Sequence, residues 1–267
     1  MSRADLPPAR PGPGSPGTVR PSREGCRVAA DDSSALVRLS GVLGPTDADQ
    51  VRDALLARFG DRPGPIVVDL ARLRCVGPTV GRLLAEVRHT VLDWPAADLL
   101  VVDPAGAVDG ESAAQLAVYP TPAEATDALA RTPMAAVLSE ALTPTVGAAR
   151  RARQLVADGC DRWGMPELTE PACIAVTELV NNVVAHASTP MTLRLAPGSG
   201  STLHVAVRDH SRQQPRYAGV APLTSTGGRG LLLIDTVARR WGSTPLPDGK
   251  VIWCVLHTED ESRWPHD

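Results

Sequence analysis

Residues 66–70 read Ile-Val-Val-Asp-Leu and residues 99–102 read Leu-Leu-Val-Val. Neither run alternates with polar residues and neither is long enough for a helix. Each therefore predicts a central strand buried on both faces. Beside them lie helical stripes: Val51, Leu55, Leu56 and Phe59 are spaced 4, 1 and 3, and residues 80–92 return to the same period. A short strand at 35–40 precedes the first helix, with Thr46 or Asp47 as its cap, and Pro122 and Glu124 open a last helix over 123–130. Strands sealed on both faces and interleaved with helices predict a layered α/β fold.

Length and composition set the frame around this block. A chain of 267 residues predicts two domains. Pro7, Pro8, Pro11, Pro13, Pro16 and Pro21 crowd residues 1–25 among glycines and arginines, a segment too poor in apolar surface to offset its ordering entropy. The first folded block is expected over 26–132, the second over 133–258, and a polar tail over 259–267. A formal net charge of -3 gives no basic field to recruit nucleic acid. Lys250 is the chain's only lysine, which rules out a Walker-type loop, since that loop needs a glycine-rich turn carrying lysine. Five scattered cysteines without a Cys-x-x-Cys pair argue against structural zinc or a disulfide framework and for a reducing cytoplasm. No apolar run reaches the ~18 residues of a membrane span, and the N-terminus has no hydrophobic signal core.

The second block opens with a strand within 137–142 and an Arg-rich helix over 145–163 that ends at Gly164. Arg150, Arg151 and Arg153 read as its solvated face. A helix is predicted over 168–187, then alternating strands at 191–195 and 203–207 joined by Gly198-Ser199-Gly200. A long lid-like loop follows over 212–228. A helix is expected over 231–240, ended by Trp241-Gly242, and a final strand over 250–256.

Within the 168–187 helix, residues 178–187 read Glu-Leu-Val-Asn-Asn-Val-Val-Ala-His-Ala. Four-residue spacing puts Glu178, Asn182 and His186 on one face, while Leu179 and Val183 turn toward a core. A carboxylate one turn from a carboxamide suits a site where an acid orients a nucleophile and an amide oxygen ligates a hard metal beside phosphates. A buried helix with a polar seam is the other reading of the decamer. Asp209 stands at a strand end, and Gly227-Gly228-Arg229-Gly230 runs straight into a helix. Alone, the first fits a strand end and the second a turn.

Together these three segments resemble the N, G1 and G2 boxes of the GHKL ATPases, and within them the anti-sigma-factor serine/threonine kinases. The resemblance rests on residues 178–187, on Arg208-Asp209-His210-Ser211, on Gly228-Arg229-Gly230-Leu231, and on Gly249-Lys250-Val251-Ile252-Trp253. It implies a Bergerat-type α/β sandwich that binds ATP with Mg²⁺. Asp209 would accept the adenine amine, Asn182 would ligate the metal, and Glu178 would act as general base. Ser211, Gly228, Arg229, Gly230 and Leu231 would surround the nucleotide, and His186 would be structural. Relatives often carry a threonine on the last strand to support the adenine aspartate. Here Val251, Ile252 and Trp253 are read in its place, which implies modest nucleotide affinity.

The first block resembles a STAS domain, the module of anti-sigma-factor antagonists, through Val67-Val68-Asp69-Leu70-Ala71-Arg72-Leu73 and the amphipathic helix after it. In that family the intervening loop carries a phosphorylated hydroxyl. Here it reads Gly77-Pro78-Thr79-Val80, with proline at the acceptor position and Thr79 displaced by one. The pair of resemblances implies a cytoplasmic kinase of bacterial partner switching, with a sigma factor or a STAS-domain antagonist as partner and a homodimer as a common assembly. No membrane or direct nucleic-acid role is expected. The alternative is a nucleotide-binding scaffold that works by protein contact alone. A sensor histidine kinase would need a phosphoacceptor histidine before the ATPase block, and residues 134–164 contain none.

Overall fold

The computed structural model describes residues 25–31, 34–75, 79–131, 136–215 and 229–259, with backbone alone at 229 and 230. The described residues fold around two five-stranded sheets. In the first, β1 (Arg27–Ala30) pairs antiparallel with β2 (Leu36–Leu43). Parallel pairing then runs through β3 (Ile66–Cys75), β4 (Leu99–Val102) and β5 (Ala117–Tyr119). Helices α1 (Ala48–Asp61) and α2 (Thr79–Val91) pack on one face over Val37, Leu39, Val68 and Val101. The short α3 (Gly110–Ala113) follows β4, and α4 (Pro122–Ala130) covers Val67, Leu100 and Val102 on the opposite face. Both unalternating runs are thus sealed from both sides, as their composition requires.

The α1 stripe is buried at Val51, Leu55, Leu56 and Phe59. Asp47 stands at its start, but its carboxylate accepts from the Gly44 N–H at 2.9 Å and makes no forward cap. Pro122 and Glu124 stand in the first turn of α4 as expected, and the Thr121 hydroxyl caps it. Strands β1 and β5 and helix α3 are additions to the expected order; each has three or four residues, too few to carry a period.

The second sheet is antiparallel throughout. Its order is β6 (Leu138–Leu142), β7 (Met191–Pro197), β8 (Thr202–Asp209), β10 (Gly249–His257) and β9 (Arg240–Leu246). Helices α5 (Ala148–Trp163), α6 (Thr169–Asn182) and α7 (Arg229–Val237) cover one face, burying Leu193, Leu195, Val205, Val207, Ile252 and Cys254. The expected helix over 231–240 stops at Val237, and the chain enters β9 at Arg240. Two residues suit that edge strand. A Cβ at Gly242 would lie 2.7 Å from the Trp253 ring, and Pro245 sits where a missing N–H breaks no central ladder.

The other face of this sheet is covered by the N-terminal half. Ala206, Leu246 and Val251 join the core that contains Phe59 and Trp94. A cavity of about 10 Å³ remains at this seam, at the lower limit for one water. Polar contacts reinforce it. Arg194, 6% exposed, donates to the carbonyls of Phe59 at 2.7 Å and Gly60 at 2.8 Å. These carbonyls lie in the last turn of α1, where no intrahelical donor is available. His204 Nδ1 donates to the Asp93 carbonyl at 3.1 Å, and Arg240 Nε donates to the Asp93 carboxylate at 2.8 Å. The layers are therefore α5–α7, the antiparallel sheet, then the N-terminal half. Among the described residues no helix is long and apolar enough to cross a membrane.

Candidate functional site

Helix α6 is entered through a 3-10 turn, Pro166–Leu168, and leaves through a π-helical turn, Val183–Ala187. Leu179, Val180 and Val183 are fully buried against the sheet. Glu178 and Asn182 lie one turn apart and are half-buried. Desolvation pushes the Glu178 carboxyl above its ordinary range. The Asn182 Nδ2 is buried and has no hydrogen-bond partner among the described residues. The π turn is closed by Ser188 N–H to Val183 C=O at 2.7 Å, and His186 within it is exposed.

Asp209 ends β8 and is fully buried. It lies in register with Met191 on β7 and Lys250 on β10. The next residue, His210, donates its N–H to Thr189 Oγ1 at 3.2 Å, which ties this strand end to the segment just beyond the π turn. Asp209 Oδ1 accepts from the Ser211 N–H at 2.7 Å and from Lys250 Nζ at 2.9 Å. Nζ also lies 2.8 Å from Oδ2, an ion-pair distance, but off the hydrogen-bonding direction. Oδ2 therefore has a counter-charge and no aligned donor among the described residues. A Cβ at Gly249 would lie 2.0 Å from the Asp209 carbonyl, so only glycine lets β10 approach here.

Ser211 contributes its main chain to this cluster: its carbonyl accepts from Lys250 at 3.1 Å, while its hydroxyl accepts from the Gln213 N–H at 3.3 Å. Leu231 is buried in the core with Leu179 and Val180. Arg229 and Gly230 open α7, which packs on α6. Gly228 and residues 216–227 of the expected lid lie outside the described residues, as do Gly77 and Pro78. The structure thus joins Asp209 and Ser211 in one hydrogen-bonded cluster, keeps Glu178 and Asn182 on one helical face, and sets Leu231 beneath as core.

Lys250 is the residue that sequence reasoning left without a role. It is 5% exposed and occupies the support position for Asp209 that was sought at Val251, Ile252 and Trp253. Its signal was available: a single lysine among 27 cationic side chains. Arg208 is the other. Strand alternation turns it away from Asp209 toward the N-terminal half, where its Nη2 meets Asp61 at 2.9 Å and Asp248 at 2.7 Å.

Chemically, Asp209 offers a buried carboxylate oxygen to a donor, Asn182 a carboxamide whose Nδ2 has no partner among the described residues, and Glu178 a carboxyl whose proton affinity is raised. These suit a purine amine, a hard metal and a hydroxyl proton respectively. Residues 140–255 match the family described as histidine kinase-like ATPase domain. The chain is 35% identical over 96 residues to the uncharacterized protein SCO4941 of Streptomyces coelicolor, covering 34% of this chain and 91% of that one. Among solved structures it is similar to the RsbU and RsbW domains of Rv1364c from Mycobacterium tuberculosis, at 17% identity and a TM-score of 0.35. That match covers 47% of this chain and 32% of the other, so the chain spans about a third of its length. It is also similar to the histidine kinase domain of the Erythrobacter litoralis EL346 blue-light activated histidine kinase, at 16% identity and a TM-score of 0.31, over 43% of this chain and 67% of that one. Residues 140–255 are therefore a histidine kinase-like ATPase domain.

Proposed function

We propose that this protein is an ATP-dependent serine/threonine protein kinase of the anti-sigma type. In this reading residues 133–258 form the ATPase domain and residues 26–132 a STAS-like docking domain. The observation that carries it is Asp209: a fully buried carboxylate whose Oδ2 has no aligned donor among the described residues, at a strand end tied through His210 to Thr189, just past the helix that bears Glu178 and Asn182. Oδ2 has the Lys250 ammonium 2.8 Å away as its counter-charge and keeps acceptor capacity for a further donor.

Asp209 Oδ2 would accept the adenine amine. Asn182 would offer its amide oxygen to Mg²⁺, which favours few protein oxygens. Bound Mg²⁺–ATP supplies the transferable phosphoryl group and neutralises its charge. Glu178, with its raised proton affinity, would hold the acceptor hydroxyl and take its proton. The start of α7 would face the phosphates with backbone N–H groups.

The layer order supports an acceptor on another molecule. Glu178 lies on the helix side of the antiparallel sheet, and the N-terminal half packs on the far side. The parallel order of β2 to β5 with helices on both faces supports the STAS-like assignment. A cytoplasmic sigma factor or STAS-domain antagonist, and a homodimer, complete the proposed setting. The second reading, a nucleotide-binding scaffold without catalysis, is favoured by Pro78, which leaves no hydroxyl at the acceptor position of the fused domain.

Phosphate transfer from labelled Mg²⁺–ATP to STAS-domain proteins of the host tests this. The kinase reading predicts transfer by the full chain and its loss in Glu178→Ala. Nucleotide binding without transfer supports the scaffold instead, and absence of both overturns the two readings together.

A further inference from the structure

Lys250 sits where no pairing rule requires a cation: on a central strand, 5% exposed, in the core-facing register. We infer that Lys250 is a positioning residue for base recognition, which engages Asp209 through Oδ1 and leaves Oδ2 as the acceptor for a purine 6-amino group. The inference deepens the nucleotide reading above and rests on it.

An ammonium has three donors. One meets Asp209 Oδ1 at 2.9 Å, and a second meets the Ser211 carbonyl at 3.1 Å. The Ser211 N–H, at 2.7 Å, is a second donor to Oδ1. Oδ1 is therefore held twice, while Oδ2 feels the charge of Nζ at 2.8 Å without an aligned bond. A carboxylate oxygen accepts two hydrogen bonds, so Oδ2 keeps its capacity for an incoming donor. The backbone supports this aim. Lys250 is the cross-strand partner of Asp209, and Gly249 permits the approach. Arg208 grips Asp248 at 2.7 Å, fixing the turn that delivers Lys250.

Without the ammonium, a fully buried carboxylate must find another source of compensation. Water fills that need and competes for Oδ2. Adenine, with a donor at position 6, matches the acceptor; a purine without the amine gains nothing from it.

The test is a residue-against-ligand cycle on the full chain. Calorimetry measures Mg²⁺–ATP and Mg²⁺–purine riboside triphosphate, which lacks only the amine, on wild type and Lys250→Met. Wild type should prefer ATP by about tenfold to a hundredfold, the range of one hydrogen bond to a charged group. In Lys250→Met the preference should fall to about threefold or less, with ATP weakened and the analogue nearly unchanged. A preference that survives overturns the inference, whether both nucleotides weaken together or neither does. Should Lys250→Met not fold, Lys250→Gln keeps donors but loses the charge. A reduced preference at an unchanged melting temperature supports the role, and an intact one refutes it. Wild type that binds neither nucleotide removes the nucleotide reading itself, and this inference with it. Binding of both without preference removes the inference alone.

Discussion

Arg194→Met is expected to loosen the seam between the two halves. The side chain is buried, and its two terminal nitrogens donate at 2.7 Å and 2.8 Å to carbonyls in the last turn of α1. Methionine fills the space of the stem and donates nothing. Each carbonyl left buried without a donor costs about 1–3 kcal/mol, so the gross loss is about 2–6 kcal/mol. An opposing effect must be set against it. Burial, with Arg208 nearby, pushes the guanidinium down to about 10, so the charged form is held at a cost of roughly 3 kcal/mol that methionine does not incur. The arginine still carries its charge at neutral pH. Subtracting that cost from the gross loss, and counting the cation at the helix C-terminus, leaves a net loss centred on about 1 kcal/mol and reaching about 3 kcal/mol. For a chain this long that lowers the melting temperature by roughly 2–12 °C. Calorimetric melting and limited proteolysis of the 131–138 join read the effect. Arg194→Met that melts at or above wild type, with unchanged proteolysis, refutes the reasoning. The seam would then be held by Leu246, Ala206 and Val251 against Phe59 and Trp94 alone.

Other expectations follow from single contacts. Gly249→Ala drives a methyl to 2.0 Å from the Asp209 carbonyl, so β8 and β10 must part; a loss of about 1–3 kcal/mol or more in urea unfolding and weaker Mg²⁺–ATP binding are expected together. His204 is held neutral, its pKa lowered from 6.5 chiefly by burial, with Asp93 pulling the other way and Arg240 adding to the fall. The unfolded chain then binds the extra proton, so stability is complete above about pH 6.5 and declines as pH falls toward the lowered folded value; His204→Asn should flatten that part of the urea-midpoint profile. Glu178 has the opposite shift for an acid. Its charge is penalised in the folded state above the raised value and not below about pH 4.5, so Glu178→Gln should melt higher near neutral pH while losing phosphate transfer.

The parts of this structure that were legible are those fixed by local periodicity. The stripe Val51, Leu55, Leu56 and Phe59 lands inside, and β4 spans Leu99–Val102 as its composition predicts. Glu178 and Asn182 keep their shared face because four-residue spacing is a property of the helix itself. The π turn that carries His186 is set by how the helix end meets the strand beyond it, which no spacing encodes. Strand β9 was hidden because Arg239, Arg240, Trp241 and Gly242 suit a frayed helix end as well as an edge strand. The alternation in β7 reads as one buried and one solvated face, so Arg194 looks like a surface cation. It is buried because a distant part of the chain, α1, ends against it. Lys250 was visible as a residue, but its role depends on the β8–β10 register, a long-range property.

The central claim is that Asp209 reads a purine base in a site completed by Glu178 and Asn182. Calorimetric titration of Mg²⁺–ATP into the full chain, and into Asp209→Asn, which preserves size and removes the charge, tests it most directly. The account predicts saturable binding at one site per chain and an affinity about tenfold or more lower in the variant. Wild type that takes up no ATP, or a variant that binds as tightly as wild type, contradicts it.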